Sequence, residues 1–184
     1  MRIEVAAIAL VLAACSGAVG AKQPTLPALT RLAELSAQRL LLADTVAASK
    51  RQSGKPVEDA ARESEQLERL GAQAAAHGLT QAQATAFFKA QMEANKLIQY
   101  RLLAEPRFVR RASAAVDLGP VRERLDRINV ELLDTLAPAV REAQGEGCVV
   151  HAERAQRLAA RRHRLDALHR TALVRAFGDL CRMP

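Results

Sequence analysis

The chain has 184 residues, 49% of them hydrophobic, with a net charge of +7 at pH 7 and a pI near 10. That length suits one domain with a sizeable core and hardly two. With aromatics at 3%, nine Gly and seven Pro, the chain lacks the turn-formers and strand residues of a β-sandwich or barrel, and its Ala/Leu/Arg/Glu/Gln-rich composition reads as all-helical. The basic balance favours an anionic partner: a small carboxylate or phosphate, a membrane surface, or nucleic acid. Of the 27 basic residues 22 are Arg, the side chain best suited to bidentate carboxylate recognition.

Residues 1–21 stand apart from the fold. Arg2 precedes a short apolar run, Val5 to Ala14, too brief to span a membrane. Small residues then offer a cleavage site at Val19-Gly20-Ala21, the pattern of a secretory signal peptide. A second reading stays open, because Leu12-Ala13-Ala14-Cys15 resembles a bacterial lipobox that would attach lipid to Cys15. Both readings export the protein to the periplasm or beyond and leave residues 22–184 as one domain.

That domain retains Cys148 and Cys181. An even pair in an oxidising compartment is a disulfide candidate, with two free buried thiols as the alternative. As one straight helix the segment would hold the two cysteines roughly 50 Å apart, whereas a disulfide needs Cα atoms within about 7 Å. A bonded pair therefore requires the chain to fold back, near Arg161-Arg162-His163-Arg164.

In chain order, helical spacing of Leu29, Leu32, Ala43 and Val46 predicts a helix from Pro27 to about Gln52, broken by Gly54-Lys55-Pro56. Asp59 caps a second helix that runs to His77 and stops at Gly78. Thr80 with Gln83 forms a capping box for a third, through about Ala104. Residues 106–119 read as a basic loop. Pro120 then starts a helix with the stripe Val121, Leu125, Ile128, Leu132 and Leu136, closed by Pro138. A short helix and Gly145-Glu146-Gly147 lead to the C-terminal hairpin. The expectation is a single-domain bundle of about six helices.

The informative positions break this pattern. At about 100° per residue, Arg39, Ala43, Val46 and Lys50 share one stripe, so two cations stand among core residues. Burying an unpaired Arg or Lys costs several kcal/mol unless an anion or a wet pocket receives it; snorkelling to solvent is the bland alternative. Asp59, Arg62, Glu63 and Gln66 sit together on the second helix. Gln91, Asn95 and Gln99 repeat every four residues on the third. Three such stripes on successive helices of a bundle can converge on one polar, net-positive cavity. There is no Gly-x-Ser-x-Gly elbow, no Gly-rich phosphate loop, and no Cys left as nucleophile if the pair is bonded. His77, His151, His163 and His169 lack partners at metal-ligand spacing and read as surface or hairpin residues, so no metal is expected. Fixed cations and neutral amides instead suit a ligand with several carboxylates, and charge that develops without proton transfer.

The run Arg39-Leu-Leu-Leu-Ala-Asp-Thr-Val-Ala-Ala-Ser-Lys50, then Pro56-Val-Glu-Asp59-Ala-Ala-Arg62-Glu63, then Gln91-Met-Glu-Ala-Asn95-Lys-Leu-Ile-Gln99 resembles the exported, γ-type chorismate mutases of the all-helical class. The resemblance extends over residues 25–184, including Arg122 and the Cys148/Cys181 spacing. It implies rearrangement of chorismate to prephenate without cofactor or covalent intermediate. By the same resemblance Arg39 and Arg122 grip carboxylates, and Arg62 holds or supports one. Lys50 and Gln99 donate to the ether oxygen, Asp59 and Glu63 orient the substrate hydroxyl, and Gln66 and Asn95 complete the pocket. It further implies a homodimer with the whole site inside each protomer, and membrane attachment only through a lipid on Cys15. Where some exported relatives carry a Glu that must be protonated to donate, Gln99 donates at any pH.

Two other readings compete: an exported helical protein that binds a carboxylate or host partner without turnover, and a basic module for cell-wall or nucleic-acid polyanions. Scarce aromatics weigh against nucleic acid, because stacking platforms are missing. Residues 22–105 carry a net +2 and residues 106–184 a net +5, so most of the excess lies away from the three polar stripes.

Overall fold

The computed structural model describes residues 26–107, 116–178 and 180–183. Among these, seven α-helices follow one another and no strand occurs: α1 (Pro27–Leu41), α2 (Ala43–Ser53), α3 (Ala60–Gln73), α4 (Gln81–Leu103), α5 (Gly119–Ala143), α6 (Cys148–Arg162) and α7 (Ala167–Phe177). Short 3-10 turns follow α3, at Ala74–His77, and α7, at Leu180–Arg182. The expected all-helical bundle is what forms. The expected leader, its cleavage site and Cys15 lie outside the described residues, as does most of the 106–119 loop. No helix among the described residues is long and apolar enough to cross a membrane.

The first helix occupies the middle of the bundle. It buries Leu29, Leu32, Leu35 and Leu40 together with Ser36 and Arg39, and α5, α6 and α7 all pack on it. Each fully buried Leu contributes roughly 1.5–3 kcal/mol, so packing rather than intrinsic propensity holds the assembly. Helix α4 makes the second half of the core through Phe87, Phe88 and Ile98 and lies against α7, α2 and α3. Gly178 ends α7 at φ +51°, where an added Cβ would come 2.7 Å from the Ala90 Cβ of α4. Only glycine lets these two helices close at that point.

Local caps form as the sequence indicates. The Asp59 carboxylate accepts from the Arg62 N–H at 3.3 Å, the Thr80–Gln83 capping box is complete, and Gly78 stops the second helix at φ +71°. The chain reverses at His163–Arg164 between α6 and α7, and the Cys148–Cys181 disulfide closes the hairpin with its Cα atoms 5.7 Å apart.

Three expectations are corrected. The Pro27–Gln52 helix is interrupted at Leu42, whose N–H reaches back to the Arg39 carbonyl at 3.3 Å, a tightened 3-10-type turn. Pro138 does not close its helix: α5 runs through it to Ala143. That extra turn carries Glu142 to the start of α1, where its two oxygens accept from the Ala28 and Leu29 N–H groups at 3.2 and 2.9 Å. Leu26, the residue before α1, provides no side-chain cap, so this distant carboxylate satisfies orphan donors and complements the helix dipole. Finally, of the surface or hairpin placement expected for His169, the hairpin holds, on α7, and the surface does not. His169 is 4% exposed, with Asp44 at 3.2 Å from Nε2 and Asp166 at 2.8 Å from Nδ1. The nearby Asp44 carboxylate raises its pKa, burial opposes, and Asp166 raises it further. This tie between α2 and α7 therefore contributes stability below about pH 6.5 and loses it as pH rises through the raised folded value.

The loop closed by the disulfide spans 33 residues, which corresponds to about 3–4 kcal/mol of denatured-state entropy. Cys148→Ser is expected to lower the urea-unfolding free energy by about that amount, measured against the oxidised wild type, while far-UV circular dichroism stays helical.

Candidate active site

At the C-terminal end of α1 the guanidinium of Arg39 is 5% exposed. Its Nε donates to Asn129 Oδ1 of α5 at 3.2 Å, and one terminal nitrogen donates to the Gln91 backbone carbonyl of α4 at 3.1 Å. Both acceptors are neutral. Burial lowers the Arg39 pKa to about 10, so the group remains a cation at neutral pH. A buried charge balanced only by carbonyl dipoles has an unfavourable self-energy that an anion would relieve.

Lys50, on the last turn of α2, is half-buried and donates from Nζ to the Val57 carbonyl at 2.7 Å. Burial pushes its pKa below the ordinary lysine value, while the carboxylates of Asp59, Glu63 and Glu58 pull it back and Arg62 adds to the lowering. These residues thus form one electrostatic group. The α2–α3 turn delivers it: Gly54 ends α2 in the left-handed conformation, and Asp59 caps α3 so that Arg62 and Glu63 fall in its first turn.

Helix α4 supplies the amides. Gln99 is buried and donates from Nε2 to Asn95 Oδ1 at 2.6 Å, while its Oε1 is buried without a partner. An unsatisfied buried acceptor costs about 1–3 kcal/mol, a sign that this amide is kept for something other than the fold. Gln91 has a different position from its stripe mates. It is fully buried and its Nε2 bonds Ser36 Oγ at 2.8 Å and the Ala176 carbonyl at 3.1 Å, so it braces α1, α4 and α7.

Between α3 and the start of α5 lies a cleft of about 620 Å³, whose lining includes Asp59, Arg62, Gln66, Arg69 and Arg122. Arg62 and Asp59 belong both to this cleft and to the Lys50 group. The hydrogen bonds of Arg39 run to α4 and α5. The candidate set is therefore distributed around the ends of α1, α2, α3, α4 and α5.

Five participants escape the sequence reading: Lys96, Glu58, Glu93, Tyr100 and Asn129. Lys96 is held by Glu58 and Glu63, each at 3.0 Å, and by Glu93 at 2.7 Å; Tyr100 donates to Glu58 at 3.0 Å. Asn129, the partner of Arg39, is the one that a sequence criterion could have found, because it is polar on the stripe of Ile128 and Leu132. No group of three His, Cys, Asp or Glu residues suited to a metal ion occurs among the described residues.

This is the arrangement of an all-helical enzyme that handles a small anion with fixed cations and amides. The sequence profile of the family described as chorismate mutase type II matches residues 30–100, which span α1 to α4. The secreted chorismate mutase of Mycobacterium tuberculosis is 30% identical over 156 residues, 83% of this chain and 78% of that protein. The secreted chorismate mutase of Mycolicibacterium smegmatis is 28% identical over 179 residues, 96% of this chain and 99% of that protein. The crystal structure of the Burkholderia phymatum chorismate mutase superposes with a TM-score of 0.79 at 34% identity, covering 84% of this chain and 96% of that one. The chain belongs to the type II chorismate mutase family. With its short apolar N-terminal run and its secreted relatives, it is an exported member of that family.

Asn129→Ala removes the acceptor of a buried cation. It is expected to lower the unfolding free energy by about 1–3 kcal/mol, read from urea denaturation midpoints at constant slope.

Proposed function

We propose that this exported enzyme isomerises chorismate to prephenate, with Lys50 and Gln99 acting on the breaking bond and Arg39, Asp59, Arg62, Glu63, Gln66, Asn95 and Arg122 binding the substrate. The rearrangement is pericyclic. The ether C–O bond of the enol-pyruvyl arm breaks as a C–C bond forms at the ring, and the electrons circulate without proton transfer or a covalent enzyme adduct. Two kinds of assistance suffice.

The first is conformational. Arg39 and Arg122 grip the two carboxylates, with Arg62 supporting, so that the arm is held folded over the ring and the entropic part of the barrier falls. The second is electrostatic. Negative charge gathers on the ether oxygen as its bond lengthens, and donors already in place stabilise it without reorganisation. Lys50 uses one N–H on Val57, leaving two for this oxygen, and Gln99 has a second amide hydrogen besides the one on Asn95. Asp59 and Glu63 accept from the ring hydroxyl. Four cations against two carboxylates leave the proposed set at a net +2, matched to a dianion. The observation that carries this assignment is the buried Arg39 charge held, among the described residues, by neutral acceptors alone.

A complete site within each protomer is part of the proposal, supported by Lys50, Asp59, Arg62 and Glu63 forming one electrostatic group. A homodimer is part of the same proposal, supported by the exposed Val149, Val150 and Leu158 of α6, and sedimentation velocity tests it. A lipid on Cys15, the alternative to plain cleavage, rests on Leu12-Ala13-Ala14-Cys15 and is tested by the mass of the mature N-terminus.

Chorismate disappearance should be catalysed by residues 22–184. Lys50→Ala and Gln99→Ala are each expected to lower kcat by roughly 100-fold or more. Wild-type kcat/KM is expected to be flat from about pH 5 to 8, because the Gln99 amide does not ionise and Arg39, lowered to about 10, keeps its charge there. It should fall on the alkaline side, at a pH below the ordinary lysine value, as the partly buried Lys50 loses its proton. Absence of turnover would favour a ligand-binding protein instead, and a single carboxylic-acid titration between pH 5 and 8 would remove Gln99 from its role.

A further inference from the structure

We infer that Glu58, tied to α4 by Lys96 and Tyr100, is a positioning residue that sets the Lys50 ammonium through the Val57 carbonyl. The inference rests on the reading that Lys50 acts at the ether oxygen. Among the described residues, Lys50 donates its hydrogen bond to the α2–α3 loop, on the carbonyl of Val57. Where that carbonyl points is decided by its neighbours. The Val57 side chain is buried on one side of it. On the other, the Glu58 carboxylate is anchored at both oxygens: Oε1 accepts from the Tyr100 hydroxyl and Oε2 from Lys96 Nζ, each at 3.0 Å. Both donors stand on the rigid helix that also carries Asn95 and Gln99. The loop is thus fastened to the element that bears the second donor, and the spacing between the Lys50 ammonium and the Gln99 amide becomes a property of this tie.

Lys96 is built as a fastener rather than as a ligand for substrate. An ammonium has three donors, and here three carboxylates meet it: Glu58, Glu63 and Glu93. Its side chain is only 12% exposed. Burial alone would lower its pKa, but the hydrogen bonds it donates to these carboxylates raise it above the ordinary lysine value, so the tie is charged throughout the working pH range. One of its branches ends on Glu63, which touches the substrate hydroxyl in the proposed site. The other ends on Glu58, which faces no proposed substrate contact. Glu58 therefore isolates the route to Lys50, and because its side chain is 57% exposed its removal leaves no buried hole.

Steady-state kinetics of Glu58→Gln, Lys96→Met and Lys96→Arg, alone and in a Lys50→Ala background, test this. Glu58→Gln is expected to lower kcat between about 10- and 100-fold with KM within about threefold of wild type, since a misplaced donor is felt chiefly in the transition state. Lys96→Met should lower kcat similarly and raise KM as well, through Glu63, and Lys96→Arg should recover most of the loss. In the Lys50→Ala background Glu58→Gln should change kcat by less than about twofold, because the group it positions is gone. Unchanged kcat in Glu58→Gln, or equal losses with and without Lys50, would overturn the inference. A Lys50→Ala enzyme as active as wild type would instead overturn the underlying role of Lys50, a result distinguishable from the first.

Discussion

A guanidinium on the last turn of the central helix, removed from water and faced only by an Asn side chain and a main-chain carbonyl, sets the terms for everything around it. Leaving Arg39 there costs free energy that the surrounding packing must offset. Helix α1 can carry the charge because its other buried positions are apolar and are covered by α5, α6 and α7. The same packing brings Asn129 and the Gln91 carbonyl to the guanidinium and fixes its direction. In the proposed function, a cation oriented this firmly and neutralised this little is half of a salt bridge whose other half is the substrate.

The remaining groups extend the same design from binding to chemistry. Lys50, Gln99 and their neighbours are held before substrate arrives, by Val57 in one case and Asn95 in the other. A reaction that moves electrons around a ring and no protons asks for donors already aimed at the charge that develops, and for little else. Fixed charge explains why the fold matters so much to a site made of ordinary side chains. The loop from Gly54 to Asp59 is short, yet it carries the acceptor for Lys50, the cap of α3 and the carboxylate that ties it to α4.

What the sequence made legible follows the range of the interactions. The Thr80–Gln83 capping box, the Asp59 cap and the Gly78 stop connect residues three or four apart, and all form as read. The polar stripes were visible because each contradicts an apolar face within one helix. Pro138 misled, since a proline lost from the hydrogen-bond ladder is outweighed when the following turn delivers Glu142 to the start of α1, more than a hundred residues away in sequence. Two of the three partners of Lys96, Glu58 and Glu63, lie 38 and 33 residues upstream, and Asn129 is 90 residues from Arg39. No local pattern encodes such pairs. The hairpin place of His169 was legible, but its burial was not, because Asp44, which lies 3.2 Å away, comes from another helix.

The claim at the centre is that the Arg39 charge serves the ligand and burdens the fold. Arg39→Met keeps much of the shape and deletes the charge, so stability and turnover can be read on one protein. Urea unfolding should place its stability within about 1–3 kcal/mol of wild type, because relief of the buried charge offsets part of the cost of the acceptors it leaves unpaired, while kcat/KM for chorismate falls by roughly 100-fold or more. A variant that loses about 3–5 kcal/mol of stability, as breaking a structural buried charge network would, and yet turns over chorismate with wild-type kcat/KM would contradict the account.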